Sequence, residues 1–248
     1  MFYLIGTGLK PMHLSVEALE AVKKCSEVFI DSYTSAFSEG TVQALEALAG
    51  KKITPLSRGE VEENFRGRIE AAREKNIALL VIGNPLFATT HAQILLEAKK
   101  AGIEARAIAG ISAFDLVGKS GLSMYRFGGT ASIVFPQENY APESFYDLIA
   151  ENKKAGMHTL CLLDIQSGRK MSAREAVRIL LEIEEKRSEN IVRNSVLVAM
   201  GKLGSAEERI IAGSAERIAG EEVGLPALLV VCAELGEKEK EFLHEFAG

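Results

Sequence analysis

The stretch Ala78-Leu79-Leu80-Val81-Ile82-Gly83-Asn84-Pro85-Leu86-Phe87-Ala88-Thr89-Thr90-His91 runs from strand to turn to helix start without a break. Ala78–Ile82 is wholly apolar, the pattern of a strand buried on both faces of a parallel sheet. Gly83 frees the backbone, Asn84-Pro85 sets a rigid turn, and Thr89 or Thr90 supplies an N-cap for a helix over Thr90–Lys100. A polar turn at the carboxyl end of such a strand is where open α/β sheets bind ligands. Taken alone, the same residues are also ordinary turn and cap chemistry. His91 reads as a first-turn helix residue rather than a metal ligand, because no second His or Cys stands at metal spacing.

The pattern repeats outward from this stretch. Phe2–Ile5 precedes a helix over Ser15–Lys24, Val28–Ile30 precedes Thr41–Ala49, and Ile103–Ile108 follows the helix over Thr90–Lys100. Strands alternating with helices predict βαβ units around a parallel sheet. Ser15 caps one helix start, and Gly50 and Gly102 close two helix ends. A second series begins near Gly110, with strands predicted over Ala131–Phe135, Thr159–Asp164, Ser195–Met200, Glu208–Ala212 and Ala227–Cys232. Arg209–Gly213 follows Leu203-Gly204-Ser205 too closely for a crossover, so a hairpin is expected and the second sheet is mixed. The chain therefore reads as two unlike α/β domains, 1–110 and 111–248, with a ligand cleft between them.

Composition narrows the function. The 248 residues are 47% hydrophobic and 25% charged, ordinary globular usage, and the net charge of −5 lacks the basic stripe that nucleic acid requires. Cys25, Cys161 and Cys232 are far apart and sit in or beside apolar runs, which reads as buried thiols rather than disulfides or metal ligands. The start MFYLIGTGL lacks a basic region and a long apolar core, and no apolar run reaches membrane-spanning length, so a cytoplasmic protein free of membrane is expected.

A second glycine turn, Gly6-Thr7-Gly8-Leu9, ends the first strand. The dinucleotide fingerprint is not met, since Lys10-Pro11-Met12 stands where a third glycine and a helix start belong. Together with Gly83–His91, the segments Phe29–Ser35, Gly121–Gly128, Pro142–Asp147, His158–Ile165 and Met171–Ala176 resemble the tetrapyrrole-methylase-like superfamily, and more closely its diphthine synthase branch. Tyr33-Thr34-Ser35, Ala88-Thr89-Thr90-His91 and Tyr125-Arg126-Phe127-Gly128 are far more specific than either glycine turn.

That resemblance implies a two-domain homodimer that binds S-adenosylmethionine, folded, largely through backbone groups, and releases S-adenosylhomocysteine. It implies a protein substrate, elongation factor 2, whose modified histidine is methylated on its amino group, with three methyl groups if the chain is of the archaeal type. Residue by residue, it carries over Leu9, Asn84, Phe87, Ser112, Ala113, Leu163, Leu203 and Ala227 as cofactor contacts. Two positions depart from the family pattern, which usually has Asp at Asn84 and often His at Ala227. A methyltransferase for a corrin or porphyrin precursor shares the architecture, and a cofactor-binding homologue without turnover would suit the two departures. No triad or metal is needed for methyl transfer to an amine, because alignment supplies most of the acceleration. Asp31 or Asp164 could take the amine proton, and each is as readily an ordinary strand-end polar group.

Overall fold

The computed structural model describes residues 1–31, 33–138, 140–166 and 168–246; Ser32 of the Phe29–Ser35 segment lies outside them. The chain divides into two compact units, Met1–Asp115 and Leu116–Gly248, a division five residues beyond the expected boundary at Gly110.

The first unit contains, in chain order, β1 (Phe2–Gly6), α1 (Val16–Lys23), β2 (Glu27–Asp31), α2 (Val42–Ala49), β3 (Thr54–Leu56), α3 (Arg58–Glu62), α4 (Arg66–Ala71), β4 (Ile77–Val81), α5 (Ala92–Lys100) and β5 (Ala105–Ile108). A four-residue helix, α6 (Ala113–Leu116), spans the division between the units. The five strands pair in the order β3-β2-β4-β1-β5, and every pairing is parallel. Both faces of this sheet are covered, as its apolar strands require. Tyr3, Ile5, Ile30 and Leu80 pack with α1 and α2 on one face, and Phe2, Leu4, Leu79 and Val81 pack with α3, α4 and α5 on the other. The Ser15 hydroxyl accepts the Ala18 N–H at 3.1 Å and so starts α1. Gly50 and Gly102 stop α2 and α5 in the left-handed region at φ 64° and 67°.

Three elements here were not foreseen. β3 carries Pro55 and exposes two of its three residues, so it has neither alternation nor an apolar run; it survives as an edge strand on β2, where proline is tolerated. α3 and α4 are too short and too charged for a helical stripe to stand out.

The second unit contains β6 (Ala131–Ile133), α7 (Ser144–Lys154), β7 (Thr159–Leu163), β8 (Ile165–Gln166), β9 (Arg169–Lys170), α8 (Ala173–Arg187), β10 (Leu197–Gly201), β11 (Arg209–Gly213), α9 (Ala215–Gly220), β12 (Ala227–Val231) and α10 (Glu237–His244). Its main sheet runs β11-β10-β12-β7-β6. Only β6–β7 is parallel, and β10 and β11 form the expected hairpin, with Leu197 opposite Gly213. The sheet is mixed, as the short connection after Leu203 required. The core lies against α7, α8 and α9, with Tyr146, Ile149, Val177 and Leu180 fully buried.

A polar lock ties α10 to the rest of this unit. Glu239 accepts the N–H groups of Ser123 at 2.9 Å and Gly236 at 2.8 Å, Nη1 of Arg126 at 2.6 Å, and Nε2 of His158 at 3.1 Å. His158 Nδ1 accepts the Ala233 N–H, which leaves the ring proton on Nε2, facing Glu239. Arg126 comes from the Tyr125-Arg126-Phe127-Gly128 segment, so that signature is explained here by architecture. Burial pushes the His158 imidazole below its ordinary value, against the pull of Glu239. Burial alone would raise the Glu239 carboxyl, but its N–H donors and His158 outweigh that and hold it at about 2.

Candidate functional site

In the first unit three strand ends meet through glycine. A Cβ on Gly110 would lie 2.3 Å from the Gly83 carbonyl oxygen and 2.6 Å from the Gly6 carbonyl carbon, so no larger residue fits at this junction of β1, β4 and β5. Gly8 and Gly83, both left-handed, form an antiparallel bridge by mutual N–H to carbonyl bonds of 3.3 and 3.0 Å. The Cβ direction of Gly83 opens onto Leu9 alone, whose Cδ2 lies 4.0 Å away. The absence of side chains lets a ligand approach the backbone here.

The structure brings together the five predicted contacts of this unit. Asn84 closes a turn by accepting the Leu86 N–H on Oδ1 at 3.0 Å, and its carbonyl accepts the Phe87 N–H at 3.3 Å. The Phe87 ring stacks edge-on against Phe114 at 5.4 Å, which places the Asn84–Phe87 loop beside α6 and hence beside Ser112 and Ala113. Ser112 is held by two bonds to Asp115 Oδ2, each 2.7 Å, from its N–H and its hydroxyl. Leu9 is buried, its N–H donating to His13 Nδ1 and its carbonyl accepting the Ser38 N–H. Leu86, Phe87 and Ile111 remain exposed at the same strand ends.

In the second unit Leu163 ends β7, Leu203 follows β10 and Ala227 opens β12. The registers Gly201↔Ala227 and Leu228↔Leu162 set these three positions at one end of the mixed sheet. Lys202 turns the chain there at φ 49°, and Leu163, Leu203 and Ala227 are all buried.

Sequence reasoning passed over one constellation. His91 stands just before α5, and its ring is 2% exposed while Asp31, at the end of β2, is 1% exposed. His91 Nε2 lies 3.1 Å from Asp31 Oδ2, off the line of a well-formed hydrogen bond. Its Nδ1 meets the Thr89 hydroxyl. Asp31 also accepts the N–H groups of Tyr33 and Thr34 at 2.8 and 3.0 Å and the Thr34 hydroxyl. Burial pushes the Asp31 carboxyl up, yet His91, Thr34 and the two N–H groups outweigh it and hold it below the usual carboxylate range. Asp164, the other acid considered, accepts the Phe135 N–H at 3.0 Å and the Gln166 amide at 2.8 Å, an anchor for the strand end. Below His91 a groove of about 760 Å³ runs between α3–α4 and α5, floored by Phe65, Ile69 and Ile94 and rimmed by Thr90 and Arg58. Among the described residues no cluster of His, Cys, Asp and Glu could hold a metal ion, and no helix is long and apolar enough to cross a membrane.

The model of the tetrapyrrole (corrin/porphyrin) methylases matches residues 1–219. The chain belongs to that family, in its diphthine synthase branch. A diphthine synthase of Methanococcus aeolicus is 39% identical over 93% of this chain and 91% of its own length. A diphthine methyl ester synthase of Schizosaccharomyces pombe is 38% identical over all of this chain and 94% of its own. A crystal structure of a diphthine synthase superposes with a TM-score of 0.90 at 32% identity, covering all of this chain and 96% of that one. The chain is thus a methyltransferase with the fold of the family.

Proposed function

We propose that this methyltransferase uses S-adenosylmethionine to methylate the amino group of the 3-carboxy-3-aminopropyl-histidine of elongation factor 2, giving diphthine and S-adenosylhomocysteine. The observation that carries the reading is the 39% identity, over 93% of this chain, to a protein named diphthine synthase. The strand-end surface of the first unit suits the cofactor: glycine backbone at Gly83, apolar side chains at Leu9 and Phe87, and the anchored Ser112-Ala113 pair offer an apolar, unobstructed bed. Leu9, Asn84, Phe87, Ser112 and Ala113 would hold it from this unit, and Leu163, Leu203 and Ala227 from the other. The bound cofactor would supply an activated methyl group, and the protein's part is to align the amine, exclude water and remove a proton.

The enzyme works as a cytoplasmic homodimer in this reading, three methyl groups being added. A fourth, as an ester, is the second reading, favoured by the likeness to the yeast methyl ester synthase. Mass spectrometry of elongation factor 2 bearing the precursor histidine, before and after reaction, counts the methyl groups directly. No mass change there, with transfer to a tetrapyrrole precursor, overturns the substrate. Light scattering of the active protein tests the dimer.

A further inference from the structure

Resting on that reading of the substrate, we propose that Thr89, His91 and Asp31 form a proton relay that takes the proton from the substrate's ammonium group before each methyl transfer. An ammonium has no lone pair and is no nucleophile, so a proton must leave before methylation. Thr89 is partly exposed in the loop that carries Asn84 and Phe87, whereas His91 and Asp31 behind it are buried. The Thr89 hydroxyl accepts the His91 backbone N–H at 3.3 Å and meets Nδ1, and the relay requires the hydroxyl hydrogen on that second bond and the ring proton on Nε2, which lies 3.1 Å from Asp31 Oδ2. In the step, the substrate N–H bond breaks and its electron pair stays on nitrogen. The proton binds Thr89 Oγ1 as the hydroxyl proton passes to His91 Nδ1, and the imidazolium faces the Asp31 carboxylate. The proton returns through Thr89 to solvent between turnovers.

Asp31 is suited to this part because its other bonds, to Tyr33 and Thr34, keep it ionised beside the ring. Thr89 is the group that touches substrate; His91 and Asp31 are positioning residues acting through it. The other charged groups packed around His91 leave Asp31 as its partner. Tyr33 is neutral, its phenol pushed up to about 12 by burial and by the Asp31 charge. From α3 and its end Arg58, Glu62 and Glu63 line the groove, from α4 Arg66 and Glu70, and from α5 Glu97 and Lys100. Arg58 is paired with Glu62 at 3.0 Å and Glu70 with Arg73 at 2.8 Å.

The test has two arms. In the first, nitrogen NMR of the ring-labelled protein without cofactor, assigned with His91→Gln, should show His91 protonated on Nε2 and bare on Nδ1; the opposite tautomer overturns the relay whatever the substrate. In the second, methyl transfer to elongation factor 2 is followed from neutral pH to about pH 10, where the amine loses its proton unaided. His91→Gln and Thr89→Val should lose roughly a hundredfold in kcat at neutral pH. They should regain most of it at high pH, with S-adenosylhomocysteine affinity unchanged and Thr89→Ser close to wild type. A loss equal at every pH, or one confined to KM, overturns the relay. A wild-type protein that transfers nothing to elongation factor 2 refutes the substrate, and the tautomer then still decides the relay's geometry.

Discussion

Replacing Glu239 by Gln removes the charge from the polar lock of the second unit while keeping its shape. Four donors converge on the two carboxylate oxygens: Ser123 and His158 on Oε1, Gly236 and Arg126 on Oε2. An amide offers one acceptor oxygen, so whichever way it is turned, two donors face an NH2 group. Losing an acceptor for two of these donors, part-buried except for the buried His158, costs about 3 kcal/mol at roughly 1–3 each. The titration gives a similar size by another route. Glu239 is 5% exposed, and its carboxyl is lowered from 4.5 to about 2. At about 1.4 kcal/mol per pH unit that is on the order of 3 kcal/mol. The folded pKa is depressed, so this stability is present above the unfolded value near 4.5 and is lost as pH falls toward 2. His158, also depressed, loses its share as pH falls through the ordinary imidazole range, and loses more of it in the variant, where the pull of Glu239 is gone, so the change from pH 5 to pH 3 is the one that reads Glu239. Urea unfolding followed by circular dichroism at pH 7, 5 and 3 should therefore show a difference of about 3 kcal/mol that shrinks markedly at pH 3. A difference that stays constant from pH 7 to pH 3, or none at pH 7, refutes the charge-based account of the lock.

Gly110→Ala drives a Cβ to 2.3 Å from the Gly83 carbonyl and should cost about 2 kcal/mol of stability while weakening cofactor binding by calorimetry. Asn84→Asp keeps an acceptor for the Leu86 N–H and adds a negative charge, so it should tighten S-adenosylmethionine over S-adenosylhomocysteine by about 1 kcal/mol; equal shifts would mean that the position acts through loop geometry. Burial raises the thiols of Cys25 to about 11 and Cys232 to about 12 and pushes Cys161 higher still, so a thiol reagent at pH 8 should label none in the native protein and all three in denaturant.

What could be read in the sequence follows from the range of each signal. β1 and β4 declare themselves because every residue is buried and therefore apolar. The glycine turns are equally local, and Gly50 and Gly102 mark their helix ends by conformation alone. β3 could not be read because an edge strand needs apolar residues on one face only, and Pro55 hides even that. The groove was invisible for the same reason, as its walls are the short charged helices α3 and α4. His91 looked like a helix-start residue because its partner Asp31 belongs to another strand, and only the β2–β4 pairing brings the two strand ends together. Arg126 and Glu239 sit in different segments for the same reason.

Selectivity at the candidate site has a physical source that the glycine turns alone did not reveal. The resemblance led us to expect a cofactor held largely by backbone groups, yet the Leu9 N–H is already given to His13 and its carbonyl to Ser38. The Ser112 N–H is likewise taken by Asp115. A ligand settling on this surface therefore meets Leu9 chiefly as an apolar side chain, and meets Phe87 as a ring already braced by Phe114. On the proposed reading of the site, shape and apolar contact supply much of the binding here, and those forces act alike on a sulfonium and a thioether. Discrimination in favour of the charged methyl donor has to come from placed charge or oriented carbonyls. On the proposed reading of this loop, the neutral amide of Asn84 gives up an electrostatic grip that an aspartate would keep.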